Sequence, residues 1–351
     1  MHTLATIAEH LKVALPAGAN GDLVIRGLNT LADATGEELS FLSSEKFAKQ
    51  LSTTKAAAVL VHRRIRADLA APEGVPLIMV DNGDLAMAQV LSLFAPPVPR
   101  PGGIDPMARI ASTATLGAGC RIGPFTVVGE RVVLGDRCVL HAGTYIGDDT
   151  RLGDDCELFP NVVIRERITL GNRVIVHAGS VIGSDGFGYR WDGRQHAKIP
   201  QIGTVVIEED VEIGSCVCID RAKFSETRVG RGSKLDNLVQ FGHNSRSGPH
   251  CIMAGQSALA GSVTIGAGVV LGGQSAISDH VTFGDGAMLA GCSGAMSDAP
   301  AKQVVSGLPA IPHRQFLREQ AALRDLPDLR VQVRKLQEEL AAMRKSIAPE
   351  G

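Results

Sequence analysis

Ten histidines compete for chemistry in this chain, and their spacing sorts them. His243 stands in LDNLVQFGHN and His280 in AISDHVTFG, 37 residues apart. His141 and His177 each open an HAG triplet and lie 36 residues apart, while His250 falls in SGPH. His2, His10, His62, His196 and His313 stand outside the repeat described next and rank low. Around His243 the sequence supplies a set of chemically useful groups. Asp236 lies seven residues upstream and Gly261 eighteen downstream. A base, a carboxylate, a second imidazole and a bare peptide N–H are a set that proton transfer to and from a reacting centre requires.

The elements that hold them follow from a six-residue period. Stepping by six from Ile104 to Ile182 meets fourteen aliphatic residues without a miss. The residue four places after each is usually small, as at Ala114, Cys120, Thr126, Cys138, Thr144, Cys156 and Ser180. That place lies two before the next aliphatic, so both point inward on a short strand. Glycine often follows the aliphatic (Gly117, Gly123, Gly135, Gly147), where we expect it to serve a sharp bend. Short strand, corner, short strand at this period is the signature of a hexapeptide β-helix. Three hexads close a coil of about 18 residues, with successive coils about 4.8 Å apart. His243 and His280 then occupy outward or corner positions about 10 Å apart along the axis. Asp236 is expected just upstream of His243 on the same patch. Cys120, Cys138 and Cys156, spaced by 18, read as inward packing residues and not as metal ligands.

The frame breaks after Ile182, resumes at Ile207, gains four residues within RAKFSETR, and runs from Val229 to Leu289 with Ser247 the one polar miss. Ser184 to Gln201 reads as a long functional loop leaving the coil. Residues 1–100 lack the period and read as a small α/β domain ending in the Pro/Gly linker APPVPRPGG. Residues 101–307 form the β-helix and 308–351 a helical extension. There Leu329, Val333, Leu336, Leu340 and Met343 recur at heptad spacing, with Pro327 expected in the first turn. So short a seam is unstable alone, which points to packing against copies of itself.

A net charge of −2 argues against a nucleic-acid binder. No apolar run is long enough to span a membrane, and the N-terminus has no secretory leader pattern. Seven cysteines without CxxC pairs fit a reducing cytosol.

The run from Ser184 to Asn244 resembles the hallmark stretch of the UDP-3-O-acylglucosamine N-acyltransferases of lipid A, and so lipopolysaccharide, biosynthesis. KIPQIG, IDR, and DN followed six residues on by HN carry the resemblance, as does AGS. GLNTLADATGEELSFLSSEKFAKQL is similar to that family's uridine-binding domain. The likeness spans residues from about 4 to 340. It implies a left-handed parallel β-helix assembled as a cytoplasmic homotrimer. It further implies transfer of a 3-hydroxyacyl group from acyl carrier protein to the 2-amine of UDP-3-O-acylglucosamine. No cofactor of the protein's own is implied, because phosphopantetheine arrives on the carrier.

By the same resemblance His243 is the general base, Asp236 orients it, and the Gly261 N–H faces the developing oxyanion. His280 then helps to place the substrate phosphates or the carrier arm. Phe41 and Phe47 match the rings that hold uracil, with Ser44 beside them. Ser44 stands where the family often has Asn, Phe47 where it often has Tyr, and Ala222 where IDRG is usual. An O-acyl- or acetyltransferase on the same scaffold, a zinc hydratase using three histidines, and a non-catalytic scaffold are the competing readings. His141 and His177 share a face, but no third histidine joins them, and a metal centre needs converging ligands.

Overall fold

The computed structural model describes residues 1–65, 69–307 and 311–347. The chain divides into two compact units, Met1–Pro99 and Arg100–Gly351. The first carries a four-stranded parallel sheet of Gly27–Leu28, Glu38–Leu42, Ala58–His62 and Leu77–Val80. Along Ala58–Val61 every residue is buried, as expected of a parallel sheet covered on both faces. Leu60 faces a cluster with Leu4, Ile7, Leu39, Ile78 and Val90. Val59 and Val61 face another with Leu42 and Leu51. The helix Gly83–Phe94 starts at Asn82, whose Oδ1 accepts from the N–H groups of Asp84 and Leu85 at 3.1 and 3.2 Å.

The second unit is a parallel β-solenoid with three sheets of ten, nine and ten strands. Its strands are mostly two residues long and pair 18 residues on, as in Val127↔Tyr145 and Val128↔Ile146. The aliphatic at each hexad points inward and is buried from Ile122 to Leu289. Two rings, Phe241 and Phe283, lie within this core. The small inward residues also bind the next coil. Thr126 Oγ1 donates to the His141 carbonyl at 3.1 Å and Ser245 Oγ to the Ala260 carbonyl at 2.8 Å. Cys138 and Cys156 are buried and point their thiols at the Gly153 and Gly171 carbonyls, both at 3.1 Å. Ser247, the polar miss, accepts from the Gly230 N–H at 2.9 Å.

Three expectations change. Glycine after the aliphatic takes a left-handed φ at Gly183 (94°) but does not serve the bend at Gly117, Gly123, Gly135 or Gly147. A Cβ on Gly171 would lie 2.6 Å from the Glu209 nitrogen of the adjacent coil, so close approach of backbones demands it. The left-handed residue of each corner comes two places later, at Arg131 (φ 56°) or Asp149 (φ 60°), for example. The insertion after Ile182 is not structureless. Tyr189–Trp191 pairs antiparallel with His196–Lys198 about the Asp192-Gly193 turn, where the Asp192 carboxylate accepts from the Arg194 and Gln195 N–H groups. Pro327 does not open a helix but lies inside one running His313–Ile347. The missing N–H deprives the Leu323 carbonyl of its partner four residues on, yet apolar residues continue the pattern upstream through Leu326 and Leu323. All of the large apolar side chains along that helix as far as Met343 are exposed. Residues 308–310 and 348–351 of the expected extension lie outside the described residues.

Candidate active site

Phe241 turns inward at the end of the strand Gln240–Phe241, so the corner Gly242-His243-Asn244 projects outward. Asn244 takes the left-handed position at φ 61°. Its side-chain amide is fixed by two backbone partners. Oδ1 accepts from the Lys223 N–H at 3.0 Å, and Nδ2 donates to the Phe224 carbonyl at 3.0 Å. His243 Nδ1 lies 3.1 Å from that same Oδ1. Because Oδ1 can only accept, Nδ1 carries the proton of the neutral ring, and Nε2 is left with a free lone pair. The tautomer required of a base at Nε2 is therefore set by Asn244.

Glycines stand on either side of the ring. A Cβ on Gly186 would sit 2.5 Å from His243 Cβ and 2.8 Å from Cδ2. A Cβ on Gly261 would sit 2.7 Å from Cε1 and 2.8 Å from Nε2. The imidazole thus lies in a slot between the root of the hairpin insertion and the next coil. Its outer edge opens into a cleft of about 690 Å³, shared with Asp185, Tyr189, Asp220, Gly261, Asp279 and His280.

Gly261 places its N–H beside the base, and nothing among the described residues accepts from it. At some equivalent corners the amide is capped by the next coil. Ala118 donates to Asp136 Oδ1 and Ala267 to Asp285 Oδ1, each at 2.8 Å. An uncapped peptide N–H next to an imidazole can receive a developing negative charge. His280, at φ 60°, is tied to the same corner by its N–H, which donates to the Gly261 carbonyl at 3.1 Å. His243, Gly261 and His280 are therefore brought together as expected.

Asp236 is not with them. Its Oδ1 accepts from the Asn237 N–H at 2.7 Å and its Oδ2 from the Gly255 N–H at 2.9 Å. It lines a separate cleft of about 520 Å³ with His177, Lys234, Asn237, Ile252 and Met253. Seven residues are one hexad plus one, which turns the chain onto the next face of the triangular coil. The expectation of one patch within a single chain fails on that geometry. The in-chain partner of His243 is Asn244.

The wall behind the cleft is built by two motifs. In IDR, Asp220 lines the cleft, while the buried guanidinium of Arg221 donates to the Gly183 carbonyl at 2.7 Å and to Glu166 Oε1 at 2.6 Å. In KIPQIG, the Gln201 side chain packs behind Gly186, its Oε1 buried and unpartnered. Asp220, Gly186 and Asn244 were missed as site residues. Asn244 is adjacent to the base and within the quoted motif. The other two are hidden because insertions shift the 18-residue register between coils.

His141 and His177 belong to a ring ladder along another corner. Each stacks on Phe159 with centroids 4.8 Å apart. His141 Nε2 is 2.9 Å from Glu157, which Arg100 grips with two hydrogen bonds. Burial pushes the Glu157 carboxyl up, but Arg100 and His141 outweigh it and hold it below the usual range. Among the described residues no three ligand-type side chains converge to hold a metal ion.

In the N-terminal unit, Phe41 and Phe47 line a cavity of about 290 Å³ with Thr30, Leu31, Ser43 and Gln50. Phe47 is 42% exposed, available to a planar guest. Ser44 does not line it. Its hydroxyl accepts from the Lys46 N–H at 3.4 Å and caps the short helix Glu45–Phe47, so Ser43 takes the lining place.

Known proteins resemble this chain over most of its length. The family model described as UDP-3-O-(3-hydroxymyristoyl) glucosamine N-acyltransferase, LpxD, matches residues 22–93. Bacterial transferase hexapeptide repeats match 105–148 and 149–184. A UDP-3-O-acylglucosamine N-acyltransferase of Anaeromyxobacter dehalogenans is 41% identical over 98% of this chain and 97% of its own. UDP-3-O-acylglucosamine N-acyltransferase 1 of Francisella tularensis subsp. holarctica is 38% identical over 93% of this chain and 95% of its own. A solved UDP-N-acetylglucosamine acyltransferase of Francisella novicida is 22% identical over 62% of this chain and 73% of its own, with a TM-score of 0.45.

Proposed function

The chain belongs to the UDP-3-O-acylglucosamine N-acyltransferases of lipid A biosynthesis, and on that premise we propose how its own residues carry the transfer. The acceptor is the 2-amine of UDP-3-O-acylglucosamine, and the donor is a 3-hydroxyacyl thioester on acyl carrier protein. The amine nitrogen attacks the thioester carbonyl while His243 Nε2 takes its proton. The Gly261 N–H faces the carbonyl oxygen as it gains charge. Collapse breaks the C–S bond, and the imidazolium returns the proton to the departing sulfur. A thiol of pKa about 8.5 leaves with little help, so one base serves both steps. His280, which lines the same cleft, places substrate. Phe41 and Phe47 hold uracil between rings, where stacking gives affinity at low entropic cost.

The observation that carries this reading is the fixed tautomer of His243, slotted between Gly186 and Gly261 and held by Asn244.

The working form is a homotrimer. Asp236 and His243 belong to consecutive hexads of one coil, hence to one height along the axis, on different corners. A threefold axis parallel to the solenoid lets the Asp236 corner of one copy meet the His243 corner of the next. The exposed apolar seam of the C-terminal helix supplies a further reason to associate. No helix among the described residues is long and apolar enough to cross a membrane, and we place the enzyme in the cytoplasm, where both substrates are made.

The test offers UDP-3-O-acylglucosamine with 3-hydroxyacyl carrier protein and identifies the product by mass spectrometry. A new amide on the sugar is expected. Acylation of a hydroxyl, or equal use of acetyl-CoA as donor, overturns the acceptor or the donor assignment respectively. Mixed trimers of His243→Ala and Asp236→Ala chains should recover activity that neither has alone, and failure to recover it overturns the shared site.

A further inference from the structure

Asp220 has no role in the reading above, yet it lines the same cleft as His243 and is only 9% exposed. It lies on the strand Cys218–Arg221, which pairs with Ser184 on one side and with the strand Gln240–Phe241 leading into His243 on the other. Its carboxylate accepts from Ser184 Oγ and from Gln240 Nε2, each at 2.8 Å. Both donors are neutral. The cations around it are otherwise engaged. Arg221 turns away to Glu166 and the Gly183 carbonyl, and Lys198 pairs with Asp185 at 2.5 Å. A nearly buried carboxylate without a cationic partner is costly, and losing charge is the usual escape. Burial, with Asp185 nearby, raises this carboxyl above its usual range against the smaller opposing pulls of Ser184, His243 and Gln240.

The groups facing the cleft beside it are Asp185 with its Lys198, Tyr189, His243, Asp279 and His280. Behind it lie Arg221 and Glu166 with Arg165. Of these, His243 is the one that gains a positive charge in the reaction.

We propose that the Asp220 carboxylate is the fixed counter-charge for the His243 imidazolium, acting through space, with Ser184 and Gln240 as its positioning residues. The inference rests on His243 being the base. When the amine proton reaches Nε2, the ring becomes cationic and the tetrahedral adduct anionic. A carboxylate already in place, held by two donors that need not move, stabilises the cation without reorganisation. It takes no proton itself, so the proton balance of the transfer is unchanged.

The experiment titrates the His243 ring by NMR in the full-length wild type and in Asp220→Asn, assigning its signals by their loss in His243→Gln. Asparagine keeps the shape, and rotation of the Gln240 amide restores its hydrogen bond. Removing an opposing charge should lower the His243 pKa by about one unit. The acid limb of the kcat profile should move down with it, and kcat should fall with little change in KM for the nucleotide sugar. Ser184→Ala, which removes one of the two hydrogen bonds holding Asp220 but no charge, should move the His243 pKa in the same direction by clearly less than Asp220→Asn does. An unchanged His243 pKa in Asp220→Asn overturns the proposal, as does an equal shift in Ser184→Ala. The titration reads the coupling even if no amide is formed, so failure of the transfer reading would be seen separately.

Discussion

Gly186→Ala tests the slot around His243 more sharply than removal of the base. The added Cβ would lie 2.5 Å from His243 Cβ and 2.8 Å from both Cδ2 and Gln201 Oε1. Ordinary carbon–carbon contact begins at about 3.5 Å, so about 1 Å of separation must open. The ring cannot slide away, because Gly261 lies against its other side and Asn244 holds Nδ1. The hairpin root cannot easily lift either. Arg221 holds the Gly183 carbonyl, Lys198 holds Asp185, and Gln201 packs behind. Overpacking of this kind costs about 1–3 kcal/mol in stability, which a solenoid of this size tolerates. A displacement of about 1 Å at a reacting group costs about 100-fold in rate. Steady-state amide formation should therefore show kcat down about 100-fold with the fold intact by circular dichroism. Gly294→Ala, where an added Cβ meets nothing within 4 Å, is the control in the same solenoid. A Gly186→Ala enzyme within about threefold of wild type, the size of an ordinary surface effect, refutes the slot.

Three further outcomes follow from the same geometry. Phe47→Ala should raise KM for the nucleotide sugar about 2- to 12-fold at unchanged kcat, the value of one ring pair, as read by initial rates. Arg221→Ala leaves the Gly183 and Glu166 carbonyls without their donor and should cost about 1–3 kcal/mol for each, seen as a lowered thermal midpoint. Glu157 is held below its usual pKa, so its contribution is present above the unfolded value and is lost as pH falls through the folded one. Thermal midpoints measured below pH about 4.5 should therefore fall more in wild type than in Glu157→Gln.

Much of the solenoid was legible because one inward position per hexad must be aliphatic whatever else the chain does. Even the break at Ser247 keeps that logic, since its hydroxyl satisfies a backbone N–H. What glycine does after each aliphatic was misread. Spacing reveals a small residue but not whether a bend or a neighbouring backbone requires it. Among site residues, His243, Gly261 and His280 were found because a regular 18-residue winding brings them together. Asp236 lies elsewhere because neighbours in sequence need not share a corner of a three-sided coil. Asp220 and Gly186 were invisible to spacing, since the hairpin and the RAKFSETR insertion alter the coil length on both sides of them. Asn244 could have been found from its neighbour, because an amide beside an imidazole is a ready orienting partner. Pro327 fits a helix start by sequence, but its missing donor is equally compatible with the middle of an exposed helix whose apolar seam runs past it.

The most direct test is single-turnover amide formation by His243→Ala with both substrates saturating. A rate lower by about 100- to 10,000-fold with nucleotide-sugar binding retained is expected. A rate equal to wild type would contradict it and move the chemistry to another group.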